Sequence, residues 1–174
     1  QYGGKALANI LFGKVSPSAK LPVTFYEDTS LLPDFCDYSM KNRTYRYAEN
    51  NILYPFGYGL TYSQVECSDL TYSDKKVSLS VTNTGNSDTE DVVQIYIKGY
   101  SENAVPNYSL CGFKRVSLKK GETKKIELIL DDSAFEVVDK NGIRKVEGNK
   151  FMLFAGTSQP DELSEKLTGT KCLS

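Results

Sequence analysis

Histidine and tryptophan are both missing from this 174-residue chain. Without His there can be no Ser-His or Cys-His couple and no His-based zinc site. Without Trp there can be no Cys…Trp…Cys sandwich core. No run approaches the ~18 apolar residues of a membrane span. Nothing at the start reads as a signal peptide, and Gln1 stands where an initiator Met would be, so the start reads as a cut inside a longer polypeptide. The formal net charge of −1 gives no general pull toward nucleic acid or an anionic membrane, and neither is expected as a partner. Cys36, Cys67, Cys111 and Cys172 are widely spaced and form no C-x-x-C pair. A zinc ribbon or thioredoxin-like motif is therefore disfavoured, and no metal or cofactor is expected. The four are read as reduced, mostly buried thiols in preference to disulfides, whose pairing the spacing leaves open.

What is present favours a packed core, with 40% of residues hydrophobic. Leu7, Ile10 and Leu11 fall at helical spacing, Ala6 and Ala8 add propensity, and Gly13 sits where a helix stop belongs. So short a helix needs a partner surface. After the turn Ser16-Pro17-Ser18-Ala19-Lys20, residues Leu21 to Phe25 read as a short extended piece, which Pro22 confines to an edge. Residues 26–65 lack a long period. Pro33, Pro55, Gly57 and Gly59 interrupt them, yet Tyr and Phe crowd them too densely for a disordered linker. They read as an ordered aromatic strap.

From residue 66 to 174 the texture changes to alternating strands: Val77, Leu79, Val81; then Val93, Ile95, Ile97; then Phe113, Val116, Leu118. Ile126, Leu128 and Leu130 follow Gly121, and Phe135 and Val137 lead into Asp139-Lys140-Asn141-Gly142. The Asn-Gly pair predicts a type I′ hairpin. Phe151, Leu153 and Ala155 make a last strand, and the polar end from Ser158 reads as an edge-lying tail or a frayed terminus. Such spacing describes a mainly β fold, an antiparallel β-sandwich.

Several segments, in order, resemble the C-terminal part of family 3 glycoside hydrolases, the β-glucosidase and β-xylosidase family. Gly4–Gly13 and Ser16–Phe25 are similar to the close of the family's α/β sandwich domain, with Ala19 where Gly is usual. Arg43-Thr44-Tyr45-Arg46-Tyr47 and Tyr54-Pro55-Phe56-Gly57-Tyr58-Gly59-Leu60 resemble the crossing into the last domain. Val81–Gly85, Asp91–Ile97, Leu110–Val116 and Gly121–Thr123 resemble its fibronectin III-like domain. The resemblance implies three parts: residues 1–25 as the end of the α/β domain, 26–65 as an interdomain strap and 66–174 as the fibronectin III-like domain. It also implies a parent that is a retaining, exo-acting hydrolase of terminal β-linked glucose or xylose. Such chemistry needs a carboxylate nucleophile and a carboxylic acid/base about 5 Å apart. Both family motifs lie outside this sequence, so no catalytic, substrate-binding or metal residue is assigned. The expected partners are the barrel and α/β sandwich domains of the same polypeptide, with oligosaccharide reached through them. An extracellular or periplasmic parent is slightly favoured. A free-standing module that grips carbohydrate or protein is the alternative.

Several residues invite functional readings that blander ones outweigh. Asp131 and Asp132 are adjacent, so an extended backbone points them apart, and a solvated turn is expected. Glu90 and Asp91 are expected to open a strand at the surface. Lys114, Arg115, Lys119, Lys120, Lys124 and Lys125 form a basic run interleaved with Glu122 and Glu127, which reads as protected sheet edges rather than a nucleic-acid surface. Tyr45, Tyr47, Tyr54, Phe56 and Tyr58 could stack on sugars but are read as a seam. Arg43 and Arg46 are read as structural. Asn42-Arg43-Thr44 and Asn107-Tyr108-Ser109 fit the N-glycosylation pattern, which chance also supplies.

Overall fold

The computed structural model describes residues 2–174. The Ala-rich start forms α1 (Gly3–Leu11). It stops at Gly13, whose φ of +67° suits a residue without a Cβ and whose N–H donates to the Ile10 carbonyl at 2.8 Å. The expected strand near Leu21–Phe25 is displaced: β1 is only Phe25–Tyr26, past Pro22, and pairs antiparallel with β2 (Ile52–Tyr54), which follows the short helix α2 (Thr44–Tyr47). Pro22 has no N–H to give a ladder, which accounts for the shift.

The sandwich is built from two three-stranded sheets. One orders β3 (Val65–Ser73), β4 (Lys76–Asn83) and β7 (Thr123–Ile129), with β4 in the centre. The other places β5 (Thr89–Gly99) between β6 (Ser109–Leu118) and β10 (Phe151–Gly156). All neighbours are antiparallel. The alternation read from sequence fills the space between the sheets. Val77, Leu79 and Val81 of β4 meet Val93, Ile95 and Ile97 of β5, with Val116, Leu118, Ile126, Leu130, Leu153 and Ala155 completing the core. Each such side chain contributes about 1.5–3 kcal/mol by leaving water.

Several features depart from the sequence reading. β3 carries no clean alternation, and it is bent by a bulge between Ser68 and Thr71 in which Asp69 takes φ +55°. The hairpin β8 (Glu136–Val138) to β9 (Arg144–Val146) forms where expected, but not on a type I′ turn. Only Gly142 has positive φ there, and Gly142 N–H donates to the Asp139 carbonyl. The Asp139 carboxylate accepts from Asn141 and Ile143 N–H, an Asx turn that outcompetes the Asn-Gly preference. The tail is not frayed. Asp161 caps α3 (Glu162–Thr168) by accepting from Ser164 N–H at 2.7 Å, Gly169 ends it at φ +70°, and Leu173 pairs with Ala155 beside β10. Asp91 is not at the surface: it shares the inward parity of Val93 and is 2% exposed, whereas Glu90 points out to Arg115 and Ser117.

Candidate functional site

The outer face of β5 carries Gln94 and Tyr96, both buried although they alternate away from the core. The strap covers them. Tyr45 stacks on Phe56 with centroids 4.2 Å apart and meets the Tyr96 ring edge-on at 6.3 Å. Tyr108 meets Tyr96 at 6.1 Å and Phe154 at 6.0 Å, so the rings form one continuous seam. The polar atoms of Tyr45, Gln94 and Tyr96 are paired. Tyr96 hydroxyl donates to Gln94 Oε1 at 2.6 Å, and Gln94 Nε2 donates to the carbonyls of Gly57 and Thr157, each at 3.0 Å. Leu110 N–H donates to the Tyr45 hydroxyl at 2.9 Å. Burial pushes the Tyr96 phenol well above its usual value and the Tyr108 phenol up to about 12.

Residues 16–21 are clasped to the strap and to the first residues of β5. Lys20 Nζ stands 2.8 Å from Asp91 Oδ1 and donates to the Gly59 carbonyl at 3.0 Å. Burial raises the Asp91 carboxyl, and Lys20 opposes that rise. Leu21 N–H donates to the Tyr58 carbonyl and Gly57 N–H to the Leu21 carbonyl, both at 2.8 Å. Ser16, Thr61 and Thr89 close a triangle of hydroxyls with sides of 3.0, 2.6 and 3.0 Å, and Tyr62 hydroxyl donates to the Ile10 carbonyl at the end of α1.

Beside this seam lies an uncovered apolar flank. Leu7, Leu11 (70% exposed) and Phe12 (81%) project from α1 and its end. Val15, Val23, Leu32, Phe35 (87%), Tyr38 and Tyr62 are likewise exposed between α1 and β3.

The residues singled out from sequence fall into place unevenly. Tyr45 and Phe56 enter the seam, and Tyr54 stacks on Tyr58 at 5.3 Å. Arg43 donates to the Asp34 and Asp37 carbonyls at 2.6 and 2.8 Å, and Arg46 lies 5.9 Å from the Tyr45 ring centroid, so both act within the strap. Asp131 caps a turn by accepting from Ser133 N–H, and Asp132 pairs with Lys75. The basic residues lie on and beside the edge strands β6 and β7, where Arg115 meets Glu90 and Lys124 meets Glu122. Asn107 does not present a free amide: its Nδ2 donates to the Tyr45 and Ala48 carbonyls. Cys67, Cys111 and Cys172 are half-buried free thiols, whereas Cys36 is exposed, against the expectation of burial. Among the described residues no group of three or more Cys, Asp or Glu could hold a metal ion.

Sequence reasoning gave no role to Lys20, Gln94 and Tyr96 and put Asp91 at the surface, yet these four hold the two parts together. One signal was present. The run Val93-Gln94-Ile95-Tyr96-Ile97 places a large aromatic opposite the core face, as a strand covered on both sides requires.

These features define a β-sandwich joined to an N-terminal helical segment by a buried aromatic seam. Residues 1–62 match the glycosyl hydrolase family 3 C-terminal domain, and residues 91–159 match the fibronectin type III-like domain. The chain belongs to family 3 of the glycoside hydrolases and corresponds to their C-terminal part. It is 38% identical to a xylan 1,4-beta-xylosidase of Xylanibacter ruminicola, across 98% of this chain and 20% of that protein. It is 34% identical to a periplasmic beta-glucosidase of Salmonella typhimurium, across 88% of this chain and 23% of that one. Among solved structures, the GH3 beta-glucosidase of Bifidobacterium adolescentis superposes with a TM-score of 0.81 at 32% identity, covering 92% of this chain and 27% of that chain. The chain thus spans only a fifth to a quarter of the length of the relatives it matches.

Proposed function

We propose that this chain braces a retaining, exo-acting glycoside hydrolase that releases terminal β-linked glucose or xylose from oligosaccharides. Residues 1–25 close an α/β domain, 26–65 form the strap and 66–174 form the fibronectin III-like domain. The observation that carries this reading is the junction of a hydrogen-bonded aromatic seam with open apolar side chains on the N-terminal segment. The seam fixes the strap and Lys20 to the sandwich. The flank of Leu7, Leu11, Phe12 and Phe35 is left for the barrel and α/β domains to cover. Each apolar side chain so covered adds about 1.5–3 kcal/mol to docking.

The catalytic carboxylates come from those partner domains, and this chain supplies neither. Its contribution is the angle between them. Two carboxylates held about 5 Å apart across a sugar depend on the relative placement of their domains, and an error of about 1 Å costs on the order of 100-fold in rate. Deleting residues 66–174 from the longer enzyme tests this. Turnover of a chromogenic β-glucoside or β-xyloside and the melting temperature should both fall. Unchanged turnover and stability would end the bracing role.

A further inference from the structure

A groove of about 890 Å³ opens between the β8–β9 hairpin, the loops around Asn103 and Asn149, and the turn carrying Lys75. It borders the seam through Arg46, Tyr47 and Leu110 and lies apart from the apolar flank of Leu7, Leu11, Phe12 and Phe35. Its size lies within the range of about 300–1,000 Å³ that small-ligand sites occupy. The floor is aromatic. Phe151 meets Phe135 at 5.1 Å and Tyr72 at 5.5 Å, both edge-on. Phe135 packs against the core, which accounts for it. Tyr72 and Phe151 line the groove and stay 40% and 39% exposed.

The rim is polar without a net field. Basic and acidic side chains line it in equal number, four of each. Three of the four acids are held by neighbours: Asp131 by Ser133 N–H, Asp132 by Lys75, and Glu147 by Asn103 and Lys145, with Asn103 N–H donating to Glu147 Oε2 at 3.0 Å. A phosphate-bearing chain would need a basic surplus, which is absent from this lining. An amphipathic helix would need a continuous apolar trough. Here Asn103, Glu147 and Asn149 interrupt it. Flat rings with apolar C–H faces and uncharged hydroxyls on their edges fit both floor and rim.

We propose that this groove binds a segment of neutral glycan chain, with sugar rings laid on Tyr72 and Phe151 and hydroxyls bonded by the Asn149 side chain and by Asn103 Oδ1, while Glu147 holds Asn103 in place. The site goes beyond the bracing role. It is read on the 174-residue chain alone, whereas bracing is read on turnover of the longer enzyme, so either can fail without the other.

The test is an amide NMR titration of the chain with cellohexaose, xylohexaose and mannohexaose, with an anionic oligogalacturonide as control. Shifts should gather at Tyr72, Asn103, Asn149 and Phe151 for at least one neutral chain, with a dissociation constant of about 1 mM or tighter. Tyr72→Ala and Asn149→Ala should each weaken binding about fivefold or more while the melting temperature holds. Asn149 lies on an exposed loop, so its variant keeps the fold should Tyr72→Ala lose it. Silence across the neutral panel at about 10 mM would overturn the proposal. So would equal binding of the anionic control, shifts centred on the strap, or protein-concentration-dependent shifts at the groove without sugar, which would place a second copy there.

Discussion

Lys20 and Asp91 meet at 2.8 Å with side chains only 10% and 3% exposed, so the N-terminal segment is tied to the sandwich through a buried ion pair. Removing one partner leaves the other charged in a dry place. Lys20→Met should therefore lower stability by about 3 kcal/mol, whereas Lys20→Met with Asp91→Leu should recover most of that loss. Urea unfolding of both variants gives the comparison. Equal losses would show that the charges are not what matters at this contact.

Acid should weaken the tie between the Asn103 loop and Glu147. Asn103 N–H and amide bonds hold the Glu147 carboxyl at about 2, below its usual 4.5. A lowered carboxyl stabilises the folded state above 4.5 and loses that contribution as pH falls from 4.5 toward about 2. Asp91 acts in the opposite sense, because its raised value makes the folded state hold a proton more readily. Glu147→Gln should flatten the slope of stability against pH in this window, read by thermal unfolding between pH 5 and about 2. An unaltered slope would assign acid sensitivity elsewhere.

Gly57 has no room for a methyl group. Its φ is +77°, and a Cβ there would collide with Gln94 Oε1 and lie 2.6 Å from the Tyr96 hydroxyl. Gly57→Ala should cost about 2–4 kcal/mol and release the strap. Quenching of Tyr fluorescence by acrylamide would report the opened seam. Full retention of stability would mean that the Gln94 amide can turn without loss.

The thiols should divide by position. Burial pushes Cys67 and Cys111 up to about 12 and Cys172 up to about 11, so these stay protonated at pH 8. Cys36 is exposed. Iodoacetamide at pH 8 should alkylate Cys36 first in the folded chain and all four in denaturant. Mass spectrometry locates the label, and early labelling of Cys172 would show that the C-terminal arm opens.

The core strands could be read directly because Val77-x-Leu79-x-Val81 and Val93-x-Ile95-x-Ile97 obey the two-residue period of a sheet. β3 could not, since its bulge at Asp69 breaks that period. The helix α3 was hidden because it is only seven residues long, with Leu163 and Leu167 as its one apolar pair and Ser164 as its buried residue. The Asn-Gly hairpin was placed correctly but its turn was not, because the Asp139 carboxylate reaches two backbone N–H groups that a type I′ loop would not offer. The seam was legible as aromatic composition only. Its partners on the sandwich, Gln94 and Tyr96, sit far along the chain, and no local period connects them to Tyr45 and Phe56.

Leu173 beside β10, the kink at Asp69 in β3, and the lysines along β6 and β7 have a joint effect on how copies of this chain can meet. Each of the four sheet margins carries one of these three devices, so ladders cannot grow from molecule to molecule. Clumping in a concentrated sample should run through the greasy helix and strap, and should yield to mild detergent without any gain in cross-β signal.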